Sequence, residues 1–251
     1  IDVSNLALPS LVGSVDTPGF ADDLEVVGNL VYLADGPSGF RVIDVSNPAL
    51  PFPRGNLGGF TFARSVDVAG SVAYVADALD RLSAIDVSDP DAPVELDSLA
   101  TPVDPREVEV HGSLAYLADG TGGFRIIDVS NPAALAELAV LPTAGPANTL
   151  EVSDTLAYLG LELGDQGGYT GLHAVDVAIP TAPRPLGTLR PPLGPNDVAV
   201  LGTYAYVVDE YGLEVIDIIL PEYPRMAGVL DTLGNGASVE AIGSRAYLAD
   251  N

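Results

Sequence analysis

Apolar residues recur at every second position in short runs that stop at a turn former: Leu24 and Val26 before Gly28, Val66 and Val68 before Gly70, Val108 and Val110 before Gly112. That period predicts half-buried strands. A second run in each unit carries a tyrosine, as at Tyr32, Tyr74 and Tyr116. A third spans Phe40 to Val45 or Phe124 to Val129, entered through Gly39 or Gly123 and followed by an Asn/Asp-Pro turn signal. The fourth is short and variable, for example Pro93 to Leu99 or Pro183 to Leu189. No stretch holds helical periodicity with caps.

These runs belong to one unit written six times. Ile43-Asp44-Val45-Ser46-Asn47-Pro48 returns at Ile85 to Pro90 and at Ile127 to Pro132, with weaker copies at Val175-Asp176-Val177, at Ile216-Asp217-Ile218 and at Ile1-Asp2-Val3-Ser4-Asn5. Successive copies are 42, 42, 42, 48 and 41 residues apart. A Tyr-x-x-Asp marker keeps the same steps from Tyr32 to Tyr247, with Leu161 in place of the Asp after Tyr158. Four short antiparallel strands at this period are expected of a β-propeller blade, whose sheet is covered on both faces by its neighbours. The expected fold is therefore all-β: a six-bladed propeller of four-stranded blades forming one domain over residues 1–251. Its last blade is shared between 1–18 and 235–251, so that N- and C-terminal strands close the ring. From Tyr247 the next framed Ile is due near position 258, about six residues of hairpin and early third strand beyond Asn251.

The Tyr-Leu-Ala-Asp and Gly-Phe-Arg-Val-Ile-Asp-Val-Ser-Asn-Pro pattern of residues 32 to 48, with its copies along nearly the whole chain, resembles the LVIVD-repeat family of β-propellers. The resemblance implies a secreted or surface-attached bacterial or archaeal module, hence an extracellular or cell-surface location. It carries no shared catalytic motif, so it transfers no active site.

Composition narrows the chemistry. Acidic residues outnumber basic ones 35 to 10, all ten basic residues are Arg, and the formal net charge is −25. Such a surface repels phosphate backbones and anionic headgroups, which argues against nucleic acid and membrane partners. No apolar run reaches the roughly 20 residues of a membrane helix. Lack of Lys with excess acid fits a halophilic source or Arg-favouring codons. Without Cys there is no disulfide, thiolate nucleophile or thiolate metal site. The chain opens on Ile1 with no signal-peptide pattern, as expected of a processed or excised piece.

Residues that recur in every unit are expected to be structural. Asp2, Asp44, Asp86, Asp128, Asp176 and Asp217 are expected to accept hydrogen bonds from turn amides, and the framed tyrosines to pack between blades. The first strands are more informative, because their apolar parity alternates with an acidic one: Glu25, Asp67, Glu109, Glu151 and Glu240, with Ala199 as the exception. One step earlier stand Asp23, Ser65, Glu107, Thr149, Asp197 and Ser238. If this parity faces the axis, up to five carboxylates ring a channel and could hold a hard cation such as Ca2+. The alternative is that they hydrogen-bond neighbouring strands, or pair with Arg64 and Arg106 at the mouth. Unit four is longer by six residues, and its extra segment offers Glu162, Asp165, Gln166 and Tyr169 as a binding loop. Asp35 to Gly39 and Asp119 to Gly123 are expected as β-turns rather than calcium loops, and His111 and His173 as surface substitutions. No nucleophile elbow or phosphate loop is present.

The function expected from these features is a non-catalytic module for protein or glycan interaction, or for self-assembly. The alternative is a Ca2+-dependent hydrolase or lactonase using Asp23, Glu107, Asn148, Asn196 and Asp197 at the channel mouth.

Overall fold

The computed structural model describes residues 1–5, 8–78, 81–101, 103–162, 171–189, 194–232, 234 and 236–250. It is all-β, with no helix among these residues and so none long and apolar enough to cross a membrane. Strands β1 (Asp23–Val27), β2 (Leu30–Ala34), β3 (Phe40–Asp44) and β4 (Phe52–Leu57) form the first sheet. The second holds β5 (Ala63–Ala69), β6 (Val72–Asp77), β7 (Arg81–Asp86) and β8 (Val94–Ala100). The third holds β9 (Glu107–His111), β10 (Leu114–Ala118), β11 (Phe124–Asp128) and β12 (Ala136–Leu141). The fourth comprises β13 (Ala147–Ser153), β14 (Leu156–Leu161), β15 (Gly171–Asp176) and β16 (Arg184–Leu189). The fifth comprises β17 (Asp197–Leu201), β18 (Tyr204–Asp209), β19 (Gly212–Asp217) and β20 (Arg225–Asp231). The sixth has two strands, β21 (Gly236–Ile242) and β22 (Arg245–Asp250). Five sheets of four strands and one of two, each an antiparallel meander, are arranged as in a propeller.

The core lies between sheets. Where the first meets the second, Tyr32, Ala34, Phe40 and Val42 pack on Ala63, Val66, Val75 and Ile85. The other interfaces repeat this cluster with frame-equivalent residues. The second and third strands of the inner sheets therefore alternate between two buried faces, which explains the continuous apolar runs at the centre of each unit. The framed tyrosines do pack between sheets in the first four: Tyr32, Tyr74, Tyr116 and Tyr158 are buried, and the rings of Tyr32 and Tyr116 lie near-parallel to Phe40 and Phe124.

All six framed Asp residues accept a hydrogen bond from the amide two residues on: Asp2 from Ser4, Asp44 from Ser46, Asp86 from Ser88, Asp128 from Ser130, Asp176 from Ala178 and Asp217 from Ile219, at 2.8–3.0 Å. They tie off the third strand at its turn. Next to that turn every pairing of third with fourth strand slips by one residue, between Arg41 and Ile43 in the first sheet for example. Such bulges add twist, which lets successive sheets fan around an axis. The Asp35–Gly39 and Asp119–Gly123 segments are tight turns with Gly36, Gly39, Gly120 and Gly123 at positive φ.

The N-terminal segment repeats the turn between a third and a fourth strand. Asp2 bridges Ser10 as Asp44 pairs with Phe52. Among the described residues of 1–18, expected to share the last blade, only this isolated bridge forms. Further on, Gly13 sits against Pro48 of the first sheet as Gly55 sits against Pro90 of the second.

Candidate functional site

The first strand of each sheet faces the axis. β1, β5, β9, β13, β17 and β21 together line one cavity of about 480 Å³, and Glu25, Asp67, Glu109, Glu151 and Glu240 all open onto it, with Ala199 at the sixth place. Sequence parity thus brings the five candidate carboxylates together.

Three of these carboxylates, Asp67, Glu109 and Glu151, touch the neighbouring sheet. Asp67 accepts the Val110 amide at 2.6 Å and the Val68 amide, also at 2.6 Å. Glu109 accepts the Val152 amide at 2.6 Å, and Glu151 the Val200 amide. One tier away the pattern recurs. Asp23 accepts from Val66 at 2.9 Å, Glu107 from Leu150 at 2.8 Å and Asp197 from Val239 at 2.8 Å, while the Ser65 hydroxyl accepts the Val108 amide at 3.2 Å. A β-sheet's first strand has amides with no ladder partner on its axial side, and an oxygen acceptor from the preceding sheet meets that need. The result is two tiers of side-chain-to-backbone bonds running from sheet to sheet. Among the described residues, no group of three or more His, Asp or Glu side chains converges closely enough to hold a metal ion.

At one end the channel widens into a second space of about 240 Å³, where Asp23, Glu107, Asn148, Asn196 and Asp197 meet. These are the mouth residues named from sequence. Here too the polar groups brace the backbone: Asn148 Nδ2 donates to the Pro195 carbonyl at 3.0 Å and Asn196 Nδ2 to the Gly236 carbonyl at 2.8 Å. Arg64 and Arg106 line this mouth but pair with Asp104, at 3.4 and 2.9 Å, rather than with the ring carboxylates. Arg106 also reaches Asn148 and Glu162.

Burial, with like charges adding to it, shifts the acids. Burial pushes Glu151 up to about 8, with the charges of Glu109, Glu240 and Asp197 adding to it. Glu107 is held well above the usual carboxylate range by burial and then by Asp197; Asp23, Asp197 and Glu25 rise for the same first reason.

Of the loop candidates, Glu162 pairs with Arg106 at 3.1 Å, while Asp165, Gln166 and Tyr169 lie outside the described residues. His111 ends β9 on the surface beside Glu109, which raises its pKa through their hydrogen bond. His173, expected on the surface, is half-buried within β15 because the fourth strand covers it.

One role escaped the sequence reading. The Asp of the Tyr-x-x-Asp marker clamps the segment that leads into its own sheet. Asp35 holds Thr17 and Gly19, Asp77 the Thr61 and Phe62 amides, and Asp119 the Asp104 amide. Arg41 and Arg125 neutralise two of these buried carboxylates at 2.5 Å. The Asp-x5-Arg spacing in those units was the available signal.

Comparison with known proteins bears on the fold. The family model described as LVIVD repeat matches residues 1–17, 18–56, 62–101, 104–141 and 195–232. No curated protein matches the chain in sequence. A solved structure of a functionally unknown protein from Desulfotomaculum acetoxidans is similar at 11% identity and TM-score 0.73, over 85% of this chain and 71% of that one. A candidate 6-phosphogluconolactonase from Bacteroides fragilis is similar at 12% identity and TM-score 0.72, over 90% and 72%. The computationally designed Ika8 protein is similar at 10% and 0.64, over 92% and 80%. At these identities the likeness is one of fold.

Proposed function

Since the chain belongs to the LVIVD-repeat family, we propose that it is a non-catalytic, extracellular or cell-surface propeller module that presents a rigid surface to a protein or glycan partner or to further copies of itself. One observation carries this reading: the recurring turn Asp residues and most of the channel acids are engaged in bonds between strands and turns. A catalytic centre needs groups aimed at a substrate; here Asp23, Asp67, Glu107, Glu109, Glu151 and Asp197 are aimed at amides of the next sheet. The same reading has six blades, the last shared between residues 1–18 and 235–251. The Asp2–Ser10 bridge and the seating of Gly13 support it. The test is a hydrolysis assay on lactones and phosphate esters with and without Ca2+. Rates equal to buffer are expected, and turnover that Glu107→Gln abolishes would overturn the reading.

A second reading, a hard cation such as Ca2+ among Glu25, Asp67, Glu109, Glu151 and Glu240, is favoured by their shared cavity and by the like charges of Glu109, Glu240 and Asp197 that add to the effect of burial on Glu151. Such an ion would relieve that repulsion. Native mass spectrometry decides it: one retained Ca2+ that Glu151→Gln removes supports a site, and no adduct at millimolar Ca2+ removes the idea.

A further inference from the structure

Arg41, Ser83, Arg125, His173 and Glu214 hold one place in the third strands of the five four-stranded sheets, each paired with the same rung of its fourth strand. From this place the side chain points toward the preceding sheet, as does the residue two further on: Ile127 joins the cluster built on the second sheet and Val175 the one built on the third. In the third sheet Arg125 fills the space, reaching Asp119 on one side and Glu137 of the fourth strand on the other, each at 2.5 Å. In the second, the Ser83 hydroxyl donates to Glu95 at 2.9 Å. The fourth sheet has lost every member of the third sheet's set. Leu161 stands for the marker Asp, His173 for the Arg and Pro185 for the Glu.

These three replacements leave a cavity of about 210 Å³ between the third and fourth sheets. Leu141 and Pro142 wall it from the third sheet, and Leu159, Val175 and Pro185 from the fourth. Leu159 and Val175 are buried and form its inner end, whereas Pro185 and Thr188 are exposed and mark its opening. His173 and Thr188, partners across the β15–β16 ladder, give it polar groups on one side. Its lining holds no Asp, Glu or Arg. In a molecule with a net charge of −25 that absence is selective, because a charged guest would be taken from water with no opposite charge to meet it. Size points the same way. Protein interiors are packed closely enough that an apolar cavity of about 150 Å³ accepts benzene.

We propose that this cavity is a binding site for an uncharged, ring-sized molecule that is apolar over most of its surface and carries one hydroxyl, the chemistry of a phenol. The ring would lie against Leu141, Leu159 and Val175, and the hydroxyl would face His173 and Thr188 toward the opening. Burial of the ring gives the affinity, and the polar side of the cavity sets the orientation. The site lies apart from the channel and its acids, and it stands whether or not the outer surface meets a partner.

The probe is 4-fluorophenol, followed by fluorine NMR on the 251-residue chain. Saturable binding is expected with a Kd of about 1 mM or tighter, with amide shift changes confined to β15, β16 and residues 141–144. 4-Fluorobenzoate and 4-fluorobenzylamine, similar in size but charged, are expected to bind at least about tenfold more weakly. His173→Arg combined with Pro185→Glu rebuilds the filling seen in the third sheet and is expected to abolish binding. His173→Phe occupies the same space without a charge and is expected to do the same, so the loss can be read even where the double variant folds poorly. No saturable binding up to about 10 mM, charged probes that bind as well as the phenol, or binding that survives both changes at His173 overturns the proposal.

Discussion

Glu214 stands where Arg41 and Arg125 stand in their own sheets, beside the marker Asp209 that those arginines would neutralise. Burial, and then the charge of Asp209, pushes it up to about 7. A carboxyl whose folded pKa exceeds its ordinary 4.5 keeps its proton longer in the folded chain, so stability is full below about 4.5 and falls as pH rises to about 7. Glu214→Arg restores the pairing of the first and third sheets and is expected to raise Tm at pH 8 by a few degrees with little change at pH 4.5; equal melting of both proteins at pH 8 would contradict it. Glu151→Gln keeps an acceptor for the Val200 amide and removes the titration. It is expected to abolish the fall in stability between pH 4.5 and about 8 that the wild type owes to this group, as read from melting curves across that range. At this scale the repeated residues were legible because repetition itself points to structure: the six turn Asp residues do what their frame implies. Asp104 was not, because it occurs once and outside the frame, and its pairing with Arg64 exists only after the second and third sheets meet.

Strands were legible wherever both faces are covered. The period-2 runs of β1, β5 and β9 and the third strands were drawn close to their observed bounds, since burial on alternating faces is written directly into residue type. The bulges were not, for register depends on a partner strand that no single run encodes. Close approach of fourth strands to the next turn also depends on such a partner. A Cβ on Gly55 would lie 2.5 Å from the Pro90 carbonyl oxygen and 2.6 Å from Pro93. Gly55→Ala is therefore expected to cost about 1–3 kcal/mol in chemical denaturation. Gly228, in the fourth strand β20 of the fifth sheet, has nothing within 4 Å of that position. Gly228→Ala is expected to be within about 0.5 kcal/mol of wild type, and a loss as large as that of Gly55→Ala would contradict this contact account.

For the whole molecule, the repeat identified the propeller-like succession of antiparallel sheets and the axial parity identified the channel. The purpose of the channel acids was left open between a cation and the neighbouring strands, because both uses need the same parity. Asp67, which accepts amides of two different sheets, is placed to serve as a brace. The most direct test is the Tm of wild type, Asp67→Asn and Asp67→Ala in EDTA and in millimolar Ca2+. Bracing predicts that in EDTA the Ala protein, which strands two amides, melts about 4–8 °C below wild type, that the Asn protein, which keeps one acceptor oxygen, falls between them, and that Ca2+ moves none of the three. Variants that melt with wild type in EDTA, together with a wild type that alone gains stability in Ca2+, would contradict it.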